Sequence, residues 1–457
     1  SQSLGYDNEV DYAQIRQDLS QDVKRVSLIH VLHTGGTIGM KSDPKTGSLR
    51  PEPNYLLKAL KKIDTFNDTS VETRKIPNLF ILPQIINETR IAFFLQEYNH
   101  LLDSSNCTLD NWVTMAHDIE KVYEFYDAFV ILHGTDTLAY ASSTLSFILE
   151  NLSKPVIITG SQIPICELRT DGRDNFLGAL MIAAHPCKIP EVCVFFNKNL
   201  IRGNRVVKAS SVHFNAFTSP NYPVLAEFSI DIKINERLIF EKIKENKFSI
   251  CDQLSNDVAI LRIFPSISEK FLKDFFNSSV KGVILQSYGA GNVPSLRSDM
   301  TKAFKDASNR GIIIINITQC HRGGVKPIYE TGAQLLECGV IPGFDMTPEA
   351  ALTKLSYVLS KFPDQKTRRE MMCRNLRGEV TIPSDFRLPV LEFSLYDKPE
   401  CDKELSELEK ALRLLKNSVS RSQVWSNNIF ASILVSALIN DDVSVIKYIA
   451  ESMDDYN

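Results

Sequence analysis

The sequence has no apolar run long enough to cross a bilayer. A membrane helix needs about 18 such residues, and the greasiest stretch, Ile312–Ile315, is closed by Asn316. A membrane partner is therefore not expected. There is no basic excess either: 51 Lys and Arg face 55 Asp and Glu, a formal charge of −4, so nothing in bulk would neutralise a phosphate backbone. Nucleic acid is excluded on the same ground. The nine cysteines form no C-x-x-C pair and leave an odd one over, which argues against a zinc or disulfide framework and for reduced, cytoplasmic thiols. The eight histidines show no H-E-x-x-H spacing, and the chain has no G-x-G-x-x-G, no G-K-[ST] and no G-x-S-x-G. Metal, nucleotide-cofactor and serine-elbow chemistry thus lose their usual signatures, so neither a metal nor a cofactor is expected. Ser1–Val23 is polar and lacks the basic-then-apolar profile of a secretory signal.

What is present reads as an ordered globular chain. Its 457 residues, 44% hydrophobic and 23% charged, allow about three domains of ~150 residues. Val26–Leu32 is largely apolar and ends in His33-Thr34-Gly35-Gly36-Thr37, the pattern of a buried parallel strand feeding a sharp turn. Ala128–Leu132 repeats the design into His133-Gly134-Thr135-Asp136-Thr137, after which Leu145, Ile148, Leu149 and Leu152 recur at helical spacing. Pro155–Thr159 and Glu191–Phe196 read as further strands, with a helical pattern over Asn175–Ala184 between them. Alternation of this kind predicts a parallel α/β sheet. Thr218–Glu227 and the charged Ile230–Lys247 read as a crossing to a second, smaller α/β unit, with strands at Val258–Ile263, Gly282–Leu285 and Gly311–Ile317. Thr347-Pro348-Glu349 supplies cap, N1 proline and first-turn acid for a helix to about Lys361. Leu405, Leu408, Leu412 and Leu415 mark a later amphipathic helix, and Ser436–Ile449 resembles part of one ankyrin repeat, though an ordinary helical pair fits it equally well. The expected division is 1–225, a catalytic α/β domain; 226–255, a linker; 256–385, a smaller α/β domain; and 386–457, a helical extension.

In an open parallel sheet the ligand crevice lies beyond the carboxyl ends of the strands, which is where both Gly-Thr turns fall. Thr37 sits among Gly35, Gly36 and Gly39; Thr135 and Asp136 sit on the second turn. Two hydroxyls and a carboxylate sharing a crevice suit nucleophilic attack, because a hydroxyl is weak until a neighbour takes its proton. Either turn alone reads as well as a tight βα connection with a helix cap.

The spaced pair Thr34-Gly35-Gly36-Thr37-Ile38-Gly39 and His133-Gly134-Thr135-Asp136-Thr137 resembles the bacterial-type L-asparaginase family, most closely its cytosolic, type I branch. Asp103-Ser104-Ser105, Thr159–Pro164, Arg202-Gly203-Asn204-Arg205 through Lys208, Tyr288–Asn292 and Gly343–Thr347 extend the resemblance in the family's order. It implies a larger Rossmann- or flavodoxin-like N-terminal domain with a smaller C-terminal α/β domain, and cofactor-free hydrolysis of L-asparagine to L-aspartate and ammonia. By the same resemblance Thr37 is the nucleophile, Thr135, Asp136 and Lys208 form the second catalytic group, and Asp103, Ser104 and Ser105 grip the substrate's zwitterionic head together with Thr135 and Asp136. A homodimer or homotetramer is implied as well.

One departure is plain. The family's mobile lid usually carries a tyrosine in the segment matching Gly47–Pro51, where this chain has Ser48, so Tyr329 or Tyr55 is expected to take its place, or the Lys208 group and water to act without it. Glutaminase side activity is expected, since one methylene is discriminated by only ~1–3 kcal/mol. Two other readings rank lower. An ammonia-releasing amidotransferase subunit would carry a large extra N-terminal domain, and a non-catalytic asparagine-binding scaffold does not need the retained threonines and lysine.

Overall fold

The computed structural model describes residues 12–20, 23–43, 45–68, 76, 78–83, 85–86, 88–241, 247–294, 296–326 and 330–383. The chain separates into two compact units, Ser1–Pro383 and Ser384–Asn457, and the elements below belong to the first. The ankyrin-like extension expected over 386–457 lies outside the described residues, as does Tyr329.

Strand β1, Arg25–Gly35, is buried from Ser27 onward. Covered on both faces, it reads as a continuous apolar run, not an alternating one. It pairs in parallel with β2, Thr89–Leu102, on one side and with β3, Ala128–Leu132, on the other. Strands β4, Val156–Thr159, and β5, Val192–Phe196, continue the parallel run, and β6, Asn199–Arg202, returns antiparallel. Among the described residues, short edge strands bring this sheet to nine. Its parallel strands lie in the order β2-β1-β3-β4-β5, so successive connections leave β1 in opposite directions. Ligand crevices open at such a reversal, beyond the carboxyl ends of β1 and β3.

Helices α1, Leu109–Val122, α2, Leu138–Ile148, and α3, Gly172–Ala183, follow β2, β3 and β4. On one face of the sheet, Phe93 packs on Phe80 and Phe176, with ring centroids 5.0 and 5.4 Å apart, and Phe66 stacks on Phe176. Burying each such ring contributes about 1.5–3 kcal/mol, which anchors β2 against the helix α3. A second sheet holds the parallel strands β7, Val258–Arg262, β8, Gly282–Ser287, β9, Ile313–Thr318, and β10, Ile341–Pro342. Helix α4, Pro348–Lys361, starts where the Thr347-Pro348-Glu349 signal predicts, with Thr347 Oγ1 accepting from Ala350 N at 3.1 Å. It packs against α2, whose buried Ala139, Ala141, Ser142, Ser143 and Ser146 let the two backbones approach closely.

Three elements differ from expectation. Helix α2 stops at Ile148, and Leu149–Glu150 instead pairs with Ser249–Ile250; a short apolar run does not by its period distinguish helix from strand. The span read as a linker supplies Ala226–Phe228 and Ile232–Ile234, which extend the large sheet at its edge. Strand β2, fourteen residues long, is not signalled, because Gln96, Glu97, Asn99 and His100 break its alternation.

Candidate active site

Three loops meet beyond the carboxyl ends of β1, β2 and β3, and glycine is what lets them touch. Gly35, at φ 129°, presses on the backbone of Leu102, where an added Cβ would stand 2.2 Å from the carbonyl oxygen. Gly36, at φ 84°, presses on Gly134, where a Cβ would come within 2.4 Å of its Cα. Gly134 in turn lies on Ser104, with 2.5 Å between such a Cβ and Oγ. Backbone hydrogen bonding agrees, since Gly36 N donates to Leu102 O and Thr34 Oγ1 to Leu132 O. The turns bearing Thr37, Ser104 and Thr135 are therefore one structure.

Thr37 opens a short 3-10 turn, Thr37–Gly39, and is half-buried. Thr135 is buried on the adjoining turn, and its Oγ1 accepts from Lys208 Nζ at 2.9 Å. The same ammonium donates to Asp136 Oδ1 at 2.6 Å. Lys208 reaches them from Val207–Lys208, a two-residue strand paired with Phe217–Thr218. Since the Thr135 oxygen accepts from lysine, its own hydroxyl proton is directed elsewhere and remains available as a donor. Asp136 keeps 59% of its side chain exposed, against 21% for Lys208, so the carboxylate stays open to solvent.

Ser104 is buried between these parts: Oγ accepts from Asp136 N at 3.1 Å, and its carbonyl accepts from Thr137 Oγ1 at 2.7 Å. Asp103 and Ser105 are exposed, with Asp103 Oδ1 accepting from Ser105 N as a cap of the short turn that follows. The cap reading and a ligand-facing one coexist here, because the second carboxylate oxygen is not used by that bond.

Of the candidate lid tyrosines, Tyr55 begins the helix Tyr55–Leu60, just past the hairpin Met40–Ser42/Leu49–Pro51 that follows Thr37. Its hydrogen bond to Cys166 pushes the phenol up to about 12. Ser48 at the hairpin is exposed and shares a 2.7 Å bond with Thr46. His133 turns its Nδ1 to Gly134 O at 2.7 Å, and burial lowers it to about 4, which fits a strand-end role.

Several contributors went unread in the sequence. Ile165 N donates to Ile38 O at 3.1 Å, tying the loop after β4 to the Thr37 turn. Gln162 Nε2 donates to His213 O at 3.3 Å across the segment after Lys208, while Asp171 accepts from the Gln162 and Ile163 amides. Burial raises the Asp171 carboxyl above its ordinary value despite those donors. The stretch Thr159–Pro164 was the available signal. His33 and Glu97, bonded at 3.0 Å beneath the Thr37 turn, had none. The Arg202–Arg205 segment serves chiefly to join lobes: Arg205 donates to Asp345, Gly378 O and Thr381, and Asn204 to Arg377 O. A cavity of about 260 Å³ lies away from these turns, beside Arg202 and Arg377, and the Arg202 guanidinium there is matched to Glu191 at 2.6 Å. Among the described residues no cluster of three metal-ligating side chains occurs, and no helix is long and apolar enough to cross a membrane.

A reversal-point crevice formed by two threonine turns and a lysine–aspartate pair, on a large α/β lobe joined to a smaller one, places the chain in the class of two-lobed α/β amidohydrolases. The family described as "Asparaginase, N-terminal" matches residues 28–240, and "Glutaminase/Asparaginase C-terminal domain" matches 257–372. A Dirofilaria immitis protein named L-asparaginase is 43% identical over 438 residues, covering 93% of this chain and 72% of that one. The mouse 60 kDa lysophospholipase is 40% identical over 77% of this chain, which spans 62% of its length. The crystal structure of L-asparaginase I from Vibrio cholerae superposes with a TM-score of 0.67 at 38% identity, covering 78% of this chain and 99% of that one. The chain belongs to the asparaginase family.

Proposed function

We propose that the protein hydrolyses L-asparagine to L-aspartate and ammonia in two steps, with Thr37 as nucleophile. The carrying observation is the Gly36–Gly134 contact, which brings the Thr37 turn against the turn of Thr135 and its Lys208–Asp136 partners. Thr37 Oγ attacks the side-chain amide carbon, its proton passes through the crevice to the leaving nitrogen, and ammonia departs to leave a β-aspartyl ester. Water then attacks the ester carbon, its proton passing through the Thr135 hydroxyl, held in place by Lys208 and Asp136, to the departing Thr37 Oγ, so that aspartate leaves and the nucleophile is restored. Donors facing the tetrahedral oxyanion are worth about 3 kcal/mol apiece in such chemistry. The open oxygens of Asp136 and Asp103 suit the substrate ammonium, and Ser104 and Ser105 its carboxylate.

Glutamine enters the same scheme as a slower substrate. The charged lining favours a short zwitterion over a lipid acyl chain, so ester cleavage of the kind named in the mouse relative is the lesser reading. A cytoplasmic location and a homodimer or homotetramer complete the proposal, and they rest on the resemblance to cytosolic type I enzymes. Ammonia release from asparagine by the native chain and by Thr37→Val is the test. A loss of about a thousandfold, some 4 kcal/mol of transition-state stabilisation, is expected; equal rates would end the nucleophile assignment.

A further inference from the structure

His33 and Glu97 face each other across the parallel pairing of β1 and β2. His33 Nδ1 donates to Glu97 Oε2 at 3.0 Å, and Glu97 Oε1 accepts from the Asn54 amide at 2.5 Å. Only 1% of the histidine side chain and 12% of the glutamate side chain reach solvent. The imidazole lies directly beneath the nucleophile turn: a Cβ on Gly39 would stand 2.4 Å from both Cε1 and Nε2. Among the described residues, Nε2 is buried with no hydrogen-bond partner. A proton there would lack an acceptor, at a cost of about 1–3 kcal/mol, so the ring proton belongs on Nδ1 and the carboxylate fixes the plane of the ring.

Asn54 is the second anchor. It follows the hairpin Met40–Ser42/Leu49–Pro51, takes φ 60°, and stands at the N-cap position of the helix Tyr55–Leu60 without a side-chain cap bond. One carboxylate thus holds the base of the Thr37 turn with one oxygen and the trailing end of the hairpin with the other. Burial alone would raise this carboxyl, yet the His33 and Asn54 donors hold it below its ordinary value, consistent with both oxygens serving as acceptors.

We propose that Glu97 is a positioning residue: through His33 under the turn and the Asn54 amide behind the hairpin, it sets where the Thr37 hydroxyl stands in the crevice. The inference rests on the reading of Thr37 as nucleophile. Glu97→Gln in the full chain is the probe, because an isosteric amide offers one acceptor where two are used and must turn its NH2 toward a donor. We expect kcat for asparagine to fall about 10- to 100-fold, the scale of sub-ångström misplacement, with KM moving less than about threefold because the strut's own bonds run to His33 and Asn54 and not to the 103–105 or 134–136 loops. His33→Phe keeps a ring under Gly39 but loses the donor. Because the two residues act as a unit, the double variant should be no slower than the slower single one. A Glu97→Gln kcat within about threefold of native, or losses that multiply in the double variant, would overturn the proposal. If Glu97→Gln does not fold, imidazole nitrogen NMR of the native chain decides, with the His33 signal assigned by its absence in His33→Phe: a proton on Nδ1 supports the strut and one on Nε2 overturns it. Thr37→Val in the same assay separates the two readings. Activity that needs Thr37 but not Glu97 sinks only the strut, whereas activity indifferent to Thr37 sinks the nucleophile.

Discussion

Replacing Lys208 by Met keeps the aliphatic stem and removes the ammonium that joins Thr135 to Asp136. Two bonds are lost, at 2.9 and 2.6 Å. With a fifth of the lysine and more than half of the aspartate side chain exposed, solvent screens the pair, and folding stability should change by about 1 kcal/mol or less. The cost falls on the reaction. Without the ammonium, the Thr135 hydroxyl has no fixed orientation and the path that carries the attacking water's proton is broken; loss of such acid–base help is worth about 10²–10⁴ in rate. At about 1.36 kcal/mol per decade, that is roughly 3–5 kcal/mol in the barrier. Coupled-enzyme detection of ammonia gives kcat and KM, and thermal unfolding gives the stability control. We expect kcat to collapse by that factor, KM to stay within about threefold, and the unfolding midpoint to move by only a few degrees. A kcat within about threefold of native would refute the assignment of Lys208 to the chemistry.

Gly36→Ala must fit a Cβ 2.4 Å from Gly134 Cα at φ 84°, whereas Gly47→Ala, at φ 68°, meets nothing within 4 Å; we expect at least about 2 kcal/mol and most activity lost for the first and about 1 kcal/mol for the second, by urea unfolding and ammonia release. Similar costs for the two would contradict the close approach. Glu379→Gln breaks a pair with Lys354 that is wholly buried at 2.6 Å, and leaving that ammonium uncompensated should cost about 3–5 kcal/mol in urea titrations. Burial lowers His30 and His133 from 6.5 to about 4. Between those values the unfolded chain binds protons that the fold refuses, so the contribution is complete above pH 6.5 and is lost as pH falls toward 4, by roughly 3 kcal/mol per residue. Urea midpoints at pH 7.5 and 5.2 check this, above the range where carboxylates dominate; a flat profile would count against it.

Much was legible in the sequence because the relevant constraints are local. A strand buried on both faces must be apolar throughout, so β1, β3, β4 and β5 show themselves, and a turn that presses backbone on backbone must be glycine, so Gly35, Gly36 and Gly134 mark the crevice. The Thr347 cap is likewise a near-neighbour effect. Which residues meet across the chain was settled only by the tertiary structure. Strand β2 hides behind polar residues that break its alternation, and Glu97 has no distinguishing neighbours in the text until parallel register sets it beside His33. Lys208 is an unremarkable lysine until the chain reversal at 207–218 carries its ammonium to Thr135. Pattern follows from short-range sterics and burial, whereas a site needs groups brought together from distant points, and only packing supplies that.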